Sequence, residues 1–421
     1  MKKLTAIVLG YGMRGRGYSS YAVDHPDRLE IVSVAEPVES KREYAKTRHN
    51  LPDDKLFTSW TEITALPKMA DFAIISTQDK MHLEPALKCI ELGYNILLEK
   101  PMAPTARECK IITEAAEKKG VKVIVGHVLR FTKFWYKLKD ILDSGEIGDI
   151  MSIIHMENVG NTHYGHSFTR GNWSNSKRSS PMLLQKSCHD IDILQWLIGK
   201  DCKKVQSFGS LTHFTKENQP EGAPDRCLDG CPYLGKCYYD PVRFYITGPR
   251  TGWEEVVANK VDPTPDEIME ALRTGPYGRC VYACDNDVVD HQVVNMEFDG
   301  GCTVSFTMSA FNKGGRFIRI FGTKGEITAA HGENSISVYS FDTKETTVYD
   351  LDKIGETITS GHGGGDTGIM VDALKYFSGQ PTSKSVCSLR DSYLNHLTVF
   401  AAEESRKTDN VIYIDEFSAK L

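Results

Sequence analysis

Apolar residues in this chain fall into short runs separated by stretches of helical period. Leu4–Leu9 is an apolar run of strand length, followed by Gly10-Tyr11-Gly12-Met13-Arg14-Gly15 and a helical stretch to about Val23. Further strand-like runs cover Leu29–Ala35, Ala70–Ser76, Tyr94–Leu98 and Lys122–Val125. Helical patterns lie between them at 81–92 and 106–119. Strands alternating with helices predict a parallel sheet covered on both faces, an α/β doubly wound Rossmann domain over residues 1–126. After Gly126 the rhythm changes. A helix is expected at Phe134–Ser144, a strand at Ile150–Val159, a helix at about His189–Ile198 and a strand over 201–214. Glycine turns then separate runs at 288–298, 302–310, 317–321, 326–330, 335–340 and 346–350, and helices over 367–377 and 389–405 close the chain. Residues 127–421 thus read as an α+β domain built on a large, open-faced antiparallel sheet. A loop-rich insertion at about 216–285 is too long for an ordinary connection.

Composition narrows the class. With 421 residues, 40% hydrophobic, 25% charged and a net charge of −6, the chain reads as soluble and globular. That charge gives no reason to expect nucleic acid. No apolar run approaches the roughly 20 residues needed to span a bilayer, and Met1-Lys2-Lys3 leads into a strand rather than a signal peptide. The expected location is the cytoplasm, with no membrane partner.

The glycine string has the context of a dinucleotide site: it follows a strand, opens a helix and precedes an acidic residue at the next strand end. Gly10 permits the tight turn, Gly12 lets the backbone approach a pyrophosphate, and Gly15 allows close helix–strand packing. Glu36, 21 residues after Gly15, is placed to accept hydrogen bonds from ribose hydroxyls and to repel a 2′-phosphate. Pro37-Val38-Glu39 offers no immediate cation for that phosphate, so NAD is expected over NADP. Met13, Arg14, Ser76, Thr77, Gln78, His82 and the segment Glu99-Lys100-Pro101 complete the expected cofactor contacts, because ligands of such sheets lie beyond the carboxyl ends of the strands.

Lys100 ends a predicted strand and would point toward the nicotinamide. His189, read at or near the first turn of its helix with Asp192 one turn on, suits proton transfer near neutral pH. Taken together, the glycine loop, Glu99-Lys100-Pro101 and His189-x-x-Asp192 resemble the Gfo/Idh/MocA oxidoreductases over nearly the whole chain. The resemblance implies hydride transfer between NAD and a sugar, glycoside or polyol. Lys100 would position and polarise the hydroxyl, His189 would accept its proton, and Asp192 would bind substrate or orient the histidine. One departure stands out. The carboxylate often found four residues before the histidine is here Gln185, with Lys186 beside it as a possible sharer of the acid–base role.

Further expected substrate contacts are His166, Arg170 and Trp173, which offer donors and an aromatic face to a hydroxylated ring, and Arg130 just after the first domain. Gly361-His362-Gly363-Gly364-Gly365-Asp366 resembles an element of NAD-dependent glycoside hydrolases of the same superfamily. It raises a second reading with His362 in the cleft: transient C3 oxidation followed by elimination of an aglycone. A third reading is a silent sugar sensor, against which the presence of Lys100 and His189 argues. The resemblance also implies a homodimer or homotetramer formed through the open sheet face.

Eleven cysteines include Cys227, Cys231, Cys237, Cys280 and Cys284 within the insertion. In a reducing compartment such a cluster suggests metal before disulfide. A structural zinc held by Cys227, Cys231, Cys237 and Cys284, or Cys280 in place of the last, would order a segment with few periodic apolar residues.

Overall fold

Two sheets organise the computed structural model, which describes residues 2–353 and 364–421. The first has six parallel strands: β1 (Leu4–Leu9), β2 (Leu29–Ala35), β3 (Leu56–Phe57), β4 (Phe72–Ile75), β5 (Asn95–Leu98) and β6 (Val123–Val125). Their order is β3-β2-β1-β4-β5-β6. Strands buried on both faces need apolar residues at every position, which is why β1, β4 and β5 read as continuous runs. The strand order reverses between β1 and β4, so a crevice opens beyond their carboxyl ends. Gly10, Ser76, Glu99 and Gly126 all follow directly on strand ends there.

The second sheet has nine strands. These are β7 (Ile150–Asn158), β8 (Cys202–Ser210), β9 (His291–Phe298), β10 (Thr303–Ser309), β11 (Gly315–Gly322), β12 (Gly325–His331), β13 (Ser335–Ser340), β14 (Thr346–Asp350) and β15 (Ile412–Tyr413). The order is β14-β13-β12-β11-β7-β10-β9-β8-β15. The sheet is mixed rather than wholly antiparallel, because β7 inserts between β10 and β11 and runs parallel to β10. Alternate residues such as Val294, Met296, Phe306, Ile318 and Ile320 point into one core with Trp135, Leu138, Leu184, Ile191 and Leu194 from helices Lys133–Asp143 and Met182–Ile198.

Helix Met182–Ile198 departs from the sequence reading. It starts directly after Pro181, so His189 lies mid-helix and not in the first turn. Its early turns, with Leu183, Leu184, Ser187 and Cys188 all buried, lack the polar stripe that marks an amphipathic helix. The last two long helices also return to the first sheet. Ile369, Met370 and Leu374 of Gly365–Phe377 share a core with Val8, Ile74 and Leu97. His396 of Leu389–Thr408 accepts the Met102 backbone N–H at 2.9 Å. The insertion carries more order than expected: helix Pro265–Thr274, opened by a capping box of Thr264 and Glu267, builds a small core of Tyr245, Val257, Ile268, Leu272 and Tyr277. Among the described residues, no helix is long and apolar enough to cross a membrane.

Burial pushes the pKa of His127 down to about 4 and those of His166 and His396 down to about 3. These imidazoles are neutral in the fold but take up protons near pH 6.5 in the unfolded chain. Below about pH 6.5 the unfolded state therefore binds more protons, and stability falls as pH drops toward the folded values. Urea midpoints are expected to decrease from about pH 7 to about pH 5. A flat or rising profile would contradict the assignment of neutral buried histidines.

Candidate active site

The glycine loop is closed on one side and open on the other. A Cβ on Gly10 would lie 2.7 Å from the Ser76 carbonyl oxygen, and one on Gly15 would lie 2.1 Å from the Gly10 oxygen. A Cβ on Gly12 would meet nothing within 4 Å, which leaves a backbone surface that a pyrophosphate can approach. Glu36 sits at the end of β2 and accepts the Tyr11 and Val38 backbone N–H groups at 2.7 and 3.1 Å. Each carboxylate oxygen keeps a lone pair for a ribose hydroxyl. These residues fit a dinucleotide. Arg42, which the sequence reading left out, donates to the Glu36 and Pro37 carbonyls at 2.7 and 2.6 Å, so a cation does lie beside this loop. Met13 is half exposed at the loop, and Arg14 bridges Glu99 and Asp366. Gln78 is exposed, whereas the Ser76 hydroxyl is committed to the Gly10 carbonyl at 2.7 Å and that of Thr77 to the Met81 carbonyl at 3.3 Å.

Lys100 links this crevice to the second domain. Its ammonium group donates to the Gln185 carbonyl at 2.8 Å and lies 5.9 Å from the centre of the Trp173 ring. A helical carbonyl points toward the residue four positions on, so this contact places Lys100 beside His189. Lys186, on the same face, pairs with Glu157 of β7 at 3.3 Å, and burial lowers its pKa. His163, half-buried, is stacked at 5.3 Å on Trp253; burial, with the charges of Lys186 and Lys100, holds its pKa well below the ordinary value. On the sheet side of the helix, Asp190 binds Arg316 at 2.7 Å and His155 at 2.8 Å, and Arg316 also binds Glu157 at 2.7 Å. Arg316 and His155 hold the Asp190 carboxyl well below its usual range despite burial. Glu157, His163, Asp190 and Arg316 are absent from the sequence reading, which had no means of pairing residues so far apart in the chain.

Several expected contacts have other roles. Arg130 and Asp192, 3% and 1% exposed, are bound to each other at 2.8 and 2.7 Å, so the Asp192 carboxylate is turned to Arg130 and not to the cleft. The Gln185 side chain turns to Asp79, Ser179 and Ser180, and only its carbonyl serves the site. His82 is a buried brace between the Thr77 and Pro101 carbonyls, at 3.1 and 2.9 Å, and not a cofactor contact. His166 is stacked between Trp253 and Tyr277 at 4.3 and 4.9 Å, with its Nδ1 at 2.8 Å from the Tyr245 hydroxyl. Arg170 donates to the Arg279 and Tyr239 carbonyls at 2.7 and 2.8 Å beneath the insertion. Both are therefore scaffolding for the insertion, while Trp173 remains at the cleft. His362 lies outside the described residues. Cys227, Cys231, Cys237 and Cys280 line one cavity, and the Cys284 thiol is turned to the Cys280 carbonyl at 3.2 Å; among the described residues no three of these sulfurs lie within 4.8 Å of one another.

The sequence matches the GFO_IDH_MocA model, described as an oxidoreductase family with an NAD-binding Rossmann fold, over residues 4–127. It matches the C-terminal alpha/beta domain of that family over residues 139–413. YteT of Bacillus subtilis (strain 168), an oxidoreductase by name, is 26% identical over 315 residues, covering 72% of this chain and 71% of YteT. Inositol 2-dehydrogenase of Salmonella typhimurium (strain LT2) is 25% identical over 206 residues, covering 49% of this chain and only 57% of that enzyme. Two solved structures share the fold across almost the whole chain. One is levoglucosan dehydrogenase complexed with NADH and L-sorbose, with a TM-score of 0.70 at 19% identity, covering 98% of this chain and 99% of that one. The other is an oxidoreductase domain protein from Kribbella flavida, with a TM-score of 0.71 at 16% identity, covering 98% and 100%.

Asp192→Ala would leave the Arg130 guanidinium buried without its carboxylate. It is expected to lower stability by about 3–5 kcal/mol, the cost of removing one partner of a buried pair. Denaturant melts check this: an unchanged midpoint with lost turnover would return Asp192 to a substrate role.

Proposed function

The chain belongs to the Gfo/Idh/MocA family of oxidoreductases, and on that premise we propose that it transfers a hydride between NAD and a hydroxyl-bearing carbon of a sugar, glycoside or polyol. The observation that carries this reading is the Lys100 ammonium group, fixed on the Gln185 carbonyl one helical turn before His189, at the mouth of the glycine-lined crevice. The glycine loop, Glu36 and the strand-end segments hold the dinucleotide, and bound NAD supplies the hydride acceptor. Lys100 keeps two N–H donors for the substrate hydroxyl and favours the alkoxide that develops as the hydride leaves. His189 takes the hydroxyl proton, and Lys186 is the second basic group on that face. Trp173 offers an apolar face to a sugar ring.

Glycoside cleavage stays as a second reading because Asp366, at the end of the Gly361–Asp366 string, reaches Arg14 of the glycine loop at 3.0 Å. A screen of polyols, sugars and glycosides with NAD separates the two: net NADH marks a dehydrogenase, and aglycone release without net NADH marks cleavage. NAD is preferred over NADP on the strength of Glu36, since a carboxylate beside the ribose repels a 2′-phosphate.

Lys100→Ala and His189→Ala are each expected to keep the fold and the dissociation constant for NAD while lowering kcat by at least ~10²-fold. Full activity in His189→Ala would move the proton acceptor elsewhere, Lys186 first, and NADP favoured by about tenfold would refute the role given to Glu36. We further assign the open face of the second sheet, where Ile154 and Phe208 are exposed, to contact with a second copy of the chain. Light scattering should give the mass of a dimer or tetramer; a monomer at micromolar concentration would refute this.

A further inference from the structure

The insertion brings four thiols together from distant positions. A backbone bridge pairs Arg226 with Arg279, with the Cys227 N–H bonded to the Gly278 carbonyl at 2.9 Å and the Cys280 N–H to the Asp225 carbonyl at 2.8 Å. This register sets Cys227 beside Cys280. Tight turns over 231–237, closed by the Leu234 N–H to Cys231 carbonyl bond at 3.1 Å, add Cys231 and Cys237. All four line one cavity of about 30 Å³. That volume is too small for a sugar or nucleotide. Asp240, the carboxylate at its edge, is committed to the backbone N–H groups of Gly235, Val242 and Arg243 as a helix cap.

The second observation is a buried cation that the thiols surround. Arg170 is 5% exposed, and among the described residues no Asp or Glu pairs with it. Its guanidinium instead reaches the Cys227 sulfur at 3.6 Å, while the Tyr239 backbone N–H donates to the Cys237 sulfur at 3.4 Å. Arg170 otherwise donates to the Arg279 and Tyr239 carbonyls, so among the described residues its buried charge has oxygen and sulfur partners but no carboxylate. Thiolates bound to a metal would supply that counter-charge. Their shell carries net negative charge, and N–H groups directed at sulfur stabilise such shells.

We propose that Cys227, Cys231, Cys237 and Cys280 ligate a thiophilic metal centre whose negative shell is neutralised by Arg170. A single zinc ion drawn in by four thiolates and an iron–sulfur cluster share this donor chemistry. The fourth ligand is Cys280, because Cys284 lies off the cavity. A closed shell of four thiolates has no open position, so the centre stabilises the insertion and does not take substrate.

The test uses full-length protein purified without chelator under anaerobic conditions. Elemental analysis is expected to find about one zinc per chain, or iron with acid-labile sulfide and a broad visible absorbance. X-ray absorption at the metal edge is expected to show an all-sulfur shell. Cys280→Ala should lose metal by at least about tenfold, and Cys284→Ala should retain it. Should Cys280→Ala fail to fold, the elemental and absorption measurements on the unmodified chain decide. Protein without stoichiometric metal, a shell containing nitrogen or oxygen, or metal lost in Cys284→Ala but kept in Cys280→Ala would each overturn the assignment.

Discussion

The buried pair of Arg130 and Asp192 fixes where the reactive groups stand. Arg130 lies in the turn that leaves the first sheet, and Asp192 lies on helix Met182–Ile198 of the second domain. Asn395 of the long C-terminal helix donates to Asp192 at 2.6 Å, and the Ser385 hydroxyl donates to the Arg130 carbonyl at 2.7 Å. Burying two charges costs several kcal/mol per ion unless geometry and further hydrogen bonds offset it. Here both guanidinium contacts and the Asn395 amide do so. On the other flank of the helix, Asp190 is tied to Arg316 and His155 of the second sheet. His189 adjoins Asp190 and lies three residues before Asp192, so both domains constrain the position of its ring.

Residues that act through local geometry were readable from the sequence. The glycine loop works because of what a Cβ would strike at Gly10 and Gly15, and that constraint is written in three glycines and the strand before them. The position of Lys100 at the crevice was readable because it follows a strand of a parallel sheet. The Arg130 contact of Asp192 was not readable because that partner lies 62 residues earlier in the chain, and nothing local distinguishes a buried ion-pair partner from a substrate ligand. The same holds for Gln185, whose amide is claimed by Asp79, 106 residues away. His166 and Arg170 sit in a polar, aromatic segment that suggests sugar binding. Their role emerges only once the insertion folds down on them, with Trp253 and Tyr277 on the rings of one and the cysteines around the other. The insertion was read as loop because its helices are short; helix Pro265–Thr274 needs a core that the insertion itself supplies.

The insertion also reaches the cofactor side. Glu255 pairs with Arg16 on the helix that follows the glycine loop, and Asn259 accepts from Lys41 at 2.8 Å. Trp253, stacked on both His163 and His166, thereby joins three units: the insertion, the segment below it and the edge of the dinucleotide domain.

The replacement of a carboxylate by Gln185 changes the electrostatics of the step. A carboxylate at that position, one turn before His189, would stabilise a protonated imidazole and partly neutralise the neighbouring ammonium group. Gln185 does neither, since its amide is turned away to Asp79. No carboxylate among the described residues pairs with Lys100, whose ammonium contacts a carbonyl and an aromatic face. In the proposed reaction its full charge would face the substrate oxygen in a site walled by protein, where the effective dielectric is lower than in water. On that proposal, stabilisation of the developing alkoxide would shift toward the lysine, and the base would have less to supply. Lys186 is held by Glu157, and burial lowers its pKa. On the proposed reaction, the glutamine would redistribute one function over two lysines and a histidine in place of a carboxylate.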